Sequence, residues 1–302
     1  MKTKDYYKEL SGLLAGRKDI VVKSFSLAYK NKKSVFYRVA SKNIFSDDRV
    51  ILIRAGIHGD EISGPLTFLH HINEILDYIH VHGLKVIIYP LGNPTGFESG
   101  RRYNIDNDRG VSGNNDFLRY ELADGKLTDD LRSKNEFKKW YWSSDSKLRI
   151  KLPKETRLMH RLLKKDPLKQ IVACLDLHQD YITPVKKAHA YSYAYGDFLT
   201  QADIIKKVNK VVPVWKNTKI CAGFNMSINS LGKAVQCSLT NESMRSDKNG
   251  NIIRFDGVLT DLLYRLGVKC AVTVETTGAT PLDKAEKVNL LWIFGVVDFL
   301  TK

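Results

Sequence analysis

The sequence is poor in the features that hold unusual proteins together. It has four cysteines in 302 residues, Cys174, Cys221, Cys237 and Cys270, and no Cys-x-x-Cys spacing. That argues against a disulfide framework or a thiolate metal centre and fits a reducing cytoplasm. No apolar stretch reaches the roughly 20 residues of a membrane-spanning helix. The longest, Val288 to Leu300, is interrupted by Asp298 and reads as a buried terminal helix. Met1 to Leu14 alternates charged and apolar residues and lacks the apolar core of a secretory signal. There is no Pro/Gly/Ser-rich linker, low-complexity block or fixed-period repeat. Residues 1–302 therefore read as a single domain, with an N-terminal helix and hairpin (1–45) packed on it.

What the chain has in excess is positive charge, +15 overall. Arg132 to Lys169 holds thirteen Lys/Arg against four acidic residues, a local net of +9. The plain reading is a solvated surface with a helix from about Lys154 to Lys165. The functional reading is attraction of an anionic substrate or polyanion. No helix-turn-helix, zinc-finger or RNA-binding signature accompanies the charge, so nucleic acid is not the favoured partner, and no membrane association is expected.

Apolar runs predict strands at Ile20–Val22, Val35–Val39, Val50–Arg54, Lys85–Tyr89, Ile171–Leu177, Ala190–Ala194, Ala234–Leu239 and Cys270–Glu275. Helical spacing predicts helices over Ile62–Ile79, Thr200–Val211, Val258–Leu266 and Leu282–Leu300. Lys30–Lys33 reads as a hairpin turn, and Asn93–Gly113, rich in Asn, Asp, Gly and Arg, as a long functional loop. Strands alternating with helices imply an α/β fold with a mixed, largely parallel central sheet flanked by helices.

Three strand ends carry chemistry. Val50-Ile-Leu-Ile-Arg-Ala-Gly-Ile-His58-Gly-Asp-Glu61 is a buried strand leading through a Gly-flanked turn into a helix. His58 and Glu61 offer an imidazole nitrogen and a carboxylate oxygen, both good zinc donors, although His-x-x-Glu alone is a weak signal. Ile171-Val-Ala-Cys-Leu-Asp176-Leu-His178 ends a second buried strand, and alternation puts Asp176 on the face of His178, where it can support a ligating histidine. Cys270-Ala-Val-Thr-Val-Glu275 ends a third, with a carboxylate that is costly to bury unless paired, metal-bound or functional. A structural ion pair is the bland alternative for Glu275. Two His and one Glu leave a zinc position open for water, and a nearby Glu can take that water's proton.

The ordered set resembles the carboxypeptidase A/B family of zinc metallopeptidases, including its succinylglutamate desuccinylase/aspartoacylase branch. The resemblance rests on His58/Glu61, Asn93-Pro94-Thr95-Gly96 with Arg101/Arg102, Pro153-Lys-Glu155-Thr156, His178 and Glu275, spread from about residue 50 to residue 300. It implies one Zn2+ per chain held by His58, Glu61 and His178, Glu275 as general base, and Arg101 or Arg102 as the donor to the developing oxyanion. The family's Asp-x-Asn-Arg element, whose Asn and Arg bind a substrate carboxylate, is matched imperfectly by Asp106-Asn107-Asp108-Arg109. An alternative alignment through Asn114 and Asn115 leaves Asn115 where the Arg belongs, so Arg109, Asn114 and Asn115 are the candidate substrate-binding residues. The family tyrosine that closes over substrate has no clear counterpart near Ile253.

The expected function is a zinc metallocarboxypeptidase-like hydrolase of a peptide. The first rival is an N-acyl amino acid amidohydrolase sharing the same metal site. The second is a non-catalytic binding protein using the basic face.

Overall fold

The computed structural model describes residues 1–107, 118–128, 137–142, 153–181, 186–196, 198–216, 226–228, 234–237, 251–252 and 258–302. The first half runs α1 (Thr3–Leu14), β1 (Ile20–Ala28), β2 (Lys33–Ser41), β3 (Val50–Ala55), α2 (Ser63–Val81), β4 (Lys85–Tyr89) and the short α3 (Pro94–Ser99). A 3-10 turn at Ile105–Asn107 precedes β5 (Leu118–Glu121), β6 (Leu127–Thr128) and β7 (Lys139–Trp142). Then come α4 (Lys154–Leu163), β8 (Ile171–Asp180), β9 (Ala190–Gly196) and α5 (Phe198–Asn209). The remainder is β10 (Met226–Ile228), β11 (Ala234–Cys237), β12 (Asn251–Ile252), α6 (Leu259–Arg265), β13 (Cys270–Thr277) and α7 (Leu282–Thr301).

Eight strands form the central sheet in the order β1-β2-β4-β3-β8-β13-β9-β12. The middle four, β4-β3-β8-β13, are parallel, while β1, β2 and β9 pair antiparallel with their inner neighbours. Parallel strands need both faces covered, which is why β3, β8 and β13 read as near-continuous apolar runs. Alternation divides them between two cores. Ile51 and Ile53 of β3, Leu175 and Leu177 of β8, and Val272 and Val274 of β13 pack with α1, α2, α5 and α7. Val50 and Leu52, Cys174, and Ala271 pack on the other face with α4 and α6. Helix α2 is held by Leu69, Ile72, Ile75, Leu76 and Ile79, all buried, each side chain stabilising the fold by roughly 1.5–3 kcal/mol relative to exposure.

The chain moves from β3 to β4 on one side and returns to β8 on the other, so the order reverses at the β3/β8 boundary. The carboxyl ends of strands flanking such a reversal leave a crevice where α/β sheets bind ligands.

The structure adds detail that the sequence pattern did not give. The hairpin loop lies where expected, with Ala28 paired to Lys33. Asn93–Gly113 is not loop throughout: Asn93 Oδ1 accepts the Gly96 amide at 2.8 Å, Pro94 occupies the first turn, and Gly100 at φ 60° closes α3. The strand in the Ala234–Leu239 run, β11, pairs with β10 in a separate two-stranded sheet. Helix α4 is amphipathic, with Arg157 and Arg161 exposed and Leu158, Met159 and Leu163 in the core. No helix among the described residues is long and apolar enough to cross a membrane.

Candidate metal centre

The face of the sheet toward α4 and α6 ends in polar residues. Strand alternation brings Arg54 of β3, Asp176 and His178 of β8, and Glu275 of β13 to that face, and register places Arg54 beside Asp176 and Glu275 beside His178. His58 and Glu61 arrive from the turn after β3. Gly56 starts that turn at φ 62°, where a Cβ would also meet Leu91 and Pro65 side chains at 2.8 Å.

His58, Glu61 and His178 form one buried group whose donor atoms lie within 4.8 Å of one another. His58 Nδ1 is 2.8 Å from Glu61 Oε1, and His178 Nδ1 is 2.8 Å from Glu61 Oε2. Both imidazoles thus turn the same nitrogen to one carboxylate, and two imidazole nitrogens with one carboxylate are the donor set of open, three-ligand metal sites. The far nitrogen of His178 lies 3.1 Å from Asp176 Oδ2, an ion-pair contact outside hydrogen-bond geometry that sets a carboxylate behind the ring.

The electrostatics agree with a cation-ready site. Burial raises the Glu61 carboxyl, but the His58 and His178 rings outweigh it and hold it well below the usual range. Burial lowers His178, but Asp176, Glu61 and Glu275 outweigh it and push the imidazole well above its ordinary value. The negative charge around the His178 ring favours a cation there, and a metal ion takes the place of a proton.

Glu275 Oε1 stands 4.0 Å from His178 Nδ1, beside the ligand group. Tyr191, paired with Glu275 across β9 and β13, sends its hydroxyl to Asp180 Oδ2 at 2.7 Å. Tyr181, 48% exposed, lies against Gly278, and its hydroxyl is raised by burial and by Asp60 and Glu61.

The two adjacent arginines part company. Arg102 Nη1 donates to Glu61 Oε1 at 2.8 Å, whereas the Arg101 side chain is exposed. Arg109, Asn114 and Asn115 lie outside the described residues. Two participants were missed in the sequence, Arg54 and Asn104. Arg54, fully buried, pairs with Asp176, and a charged residue in the middle of Val-Ile-Leu-Ile-Arg-Ala was the available signal. Asn93 and Asn104 tie the segment carrying Arg102 to the centre, with Asn93 Nδ2 donating to the Arg102 carbonyl at 2.9 Å.

Residues 47–183 match the family model of the succinylglutamate desuccinylase/aspartoacylase catalytic domain. That match covers a little under half of the chain, and the solved structures that follow share its fold. Among solved structures, a candidate metallopeptidase from Shewanella baltica OS155 superimposes with a TM-score of 0.64 at 21% identity, covering 98% of this chain and 91% of that one. A second candidate metallopeptidase, from Shewanella amazonensis SB2B, gives 0.62 at 19% identity over 99% and 92%. Bovine thrombin-activatable fibrinolysis inhibitor, in complex with a tick carboxypeptidase inhibitor, gives 0.56 at 14% identity over 99% and 97%. No curated protein matches the sequence. The carboxypeptidase-like fold therefore extends over nearly the whole chain, and the family match covers the part that supplies all three residues of the buried group.

Proposed function

We propose that this carboxypeptidase-like chain is a zinc-dependent hydrolase of a peptide bond, with His58, Glu61 and His178 as metal ligands and Glu275 as general base. The observation that carries the reading is the convergence of two Nδ1 atoms on the Glu61 carboxylate with Glu275 on the adjoining strand, 4.0 Å from His178. A zinc ion in this donor set supplies Lewis-acid polarisation of a carbonyl and acidification of a water.

The chain's own groups supply the rest. Glu275 accepts the proton shed by the attacking water as the new C–O bond forms, then returns it to the nitrogen as the C–N bond breaks. Arg102 places a guanidinium beside the ligand group, where it stabilises negative charge growing on the carbonyl oxygen. Asp176 sets a carboxylate behind the His178 ring. Arg109, Asn114 and Asn115 remain the proposed reader of a substrate carboxylate.

A second reading, an N-acyl amino acid amidohydrolase, is supported by the match of residues 47–183 to the desuccinylase/aspartoacylase domain. It uses the same ligands and base. Screening the zinc-loaded protein against short peptides with free carboxyl termini and against N-acyl amino acids separates the two. Release of carboxy-terminal residues supports the first reading, cleavage of N-acyl amino acids alone supports the second, and turnover of neither at full zinc occupancy overturns both.

A further inference from the structure

Glu155 has no part in the chemistry above, yet it is completely buried at the start of α4. Its carboxylate is spent on one segment. Oε1 accepts the Thr95 amide at 3.0 Å, and Oε2 accepts the Thr95 hydroxyl at 3.0 Å and the Asn104 side-chain amide. From Asn104 the connection continues inward. Asn104 Nδ2 also donates to Asn93 Oδ1 at 3.0 Å, the same oxygen that caps α3 through Gly96. Asn93 Nδ2 donates to the Arg102 carbonyl at 2.9 Å, and that carbonyl accepts the amide of Gly59, the residue after His58, at 3.1 Å. A continuous hydrogen-bond path thus runs from α4 to the backbone of Arg102, whose guanidinium reaches Glu61.

The path works only with an acceptor at its outer end. Thr95 N–H and Asn104 Nδ2 can only donate to Glu155, one to each carboxylate oxygen, so an amide nitrogen in place of either oxygen faces a donor with a donor. The titratable groups around Glu155 are Tyr29 from the β1–β2 loop, Asp106 from the following 3-10 turn, and Tyr7 from α1. None of the three is a cation, and the neighbouring Lys154 ammonium lies over the Tyr29 ring, 4.8 Å from its centroid. Burial therefore pushes the carboxyl up to about 7, against the Asn104 and Thr95 hydrogen bonds and with help from Asp106.

We propose that Glu155 is the positioning residue for Arg102, its buried carboxylate fixing the 93–104 segment so that Arg102 is presented to the ligand group. This rests on the reading that Arg102 serves the hydrolytic reaction.

The test uses zinc-loaded, full-length wild type, Glu155→Gln and Asn104→Ala, with amide-exchange protection factors, zinc content and turnover measured on each. Glu155→Gln is expected to retain zinc and to lose about tenfold or more of protection at Gly59, Thr95 and Gly96, while Leu52 and Leu175 in the central strands keep theirs. Asn104→Ala is expected to keep Thr95 protected and to loosen Gly59, because it cuts the path beyond Glu155. If Glu155 acts through Arg102, Glu155→Gln combined with Arg102→Ala is no slower than Arg102→Ala alone. Unchanged Gly59 protection in both variants would overturn the proposal, as would losses in turnover that multiply, or protection lost evenly through the sheet. Should no substrate be turned over, the hydrolytic reading fails, while the exchange measurements still decide whether Glu155 holds the segment.

Discussion

Arg54 and Asp176 lie opposite each other on adjacent parallel strands and form a fully buried two-point ion pair, with Nε 2.8 Å from Oδ1 and Nη2 on Oδ2. Asp176 Oδ2 is in turn 3.1 Å from His178 Nε2. Guanidinium, carboxylate and imidazole thus stand in series beneath the ligand group. Burial raises the Asp176 carboxyl, but Arg54 and then His178 outweigh it and keep it below the usual range. Asp176 can therefore stay charged next to His178 because Arg54 compensates it from below.

Breaking this pair from one side leaves a buried charge without its partner. Arg54→Met should cost about 3–5 kcal/mol of stability in denaturant unfolding. Arg54→Met combined with Asp176→Leu should recover most of that loss, because no charge is then left buried alone. Asp176→Asn should lower metal affinity by about 10–100-fold, the usual effect of losing a carboxylate behind a ligating histidine. Equal stability of Arg54→Met and wild type would contradict the buried-pair account.

The ligand assignment makes a compositional prediction. His58→Ala and His178→Ala each remove one of three protein donors, so elemental analysis after dialysis should find most of the zinc gone from both. Zinc content equal to wild type in both would remove the site.

Gly59 is where the ligand turn and the 96–101 segment touch. A Cβ there would lie 2.1 Å from the Gly96 carbonyl carbon, 2.3 Å from Phe97 N and 2.5 Å from Arg101 O, all backbone atoms that cannot rotate away. Gly59→Ala should therefore destabilise by about 1–3 kcal/mol and reduce turnover with Arg102 displaced. Gly12→Ala, in α1 with nothing within 4 Å of its Cβ, should leave turnover unchanged. Like turnover in the two variants would show that the contact is not needed.

A pH dependence arises away from the site. His160 on α4 packs against Trp140, with ring centroids 4.7 Å apart, and burial together with Lys164 lowers its pKa to about 4. The folded value lies below the unfolded one, so the stability from the neutral ring is present above about pH 6.5 and is lost as pH falls through about 4. His160→Gln should flatten that part of the stability curve. A slope between pH 6.5 and 4 identical to wild type would show that His160 does not contribute.

How much of this was legible depends on what each residue answers to. Strands β3, β8 and β13 were plain because both faces are buried, and their polar ends stood out as His58, His178 and Glu275. Helix α3 was hidden by its composition, although Asn93, Pro94 and Gly100 are ordinary cap signals. Strand β7 was missed because it lies in the stretch read only for its charge. The Ala234 run showed a strand but could not show its sheet, since an apolar run does not encode its partner. Arg101 and Arg102 could not be told apart, because their divergence depends on the bend after α3. Arg54 was readable in principle, but its partner lies 122 residues away.

The most direct measurement is Glu275→Gln, assayed for zinc content, melting temperature and turnover on the same preparation. Glu275 is 8% exposed and 4.0 Å from His178, and glutamine keeps its shape without its capacity to accept a proton. The account predicts a folded, zinc-replete variant whose turnover falls by about a hundredfold to ten-thousandfold. A folded, zinc-replete variant with near-normal turnover would contradict it.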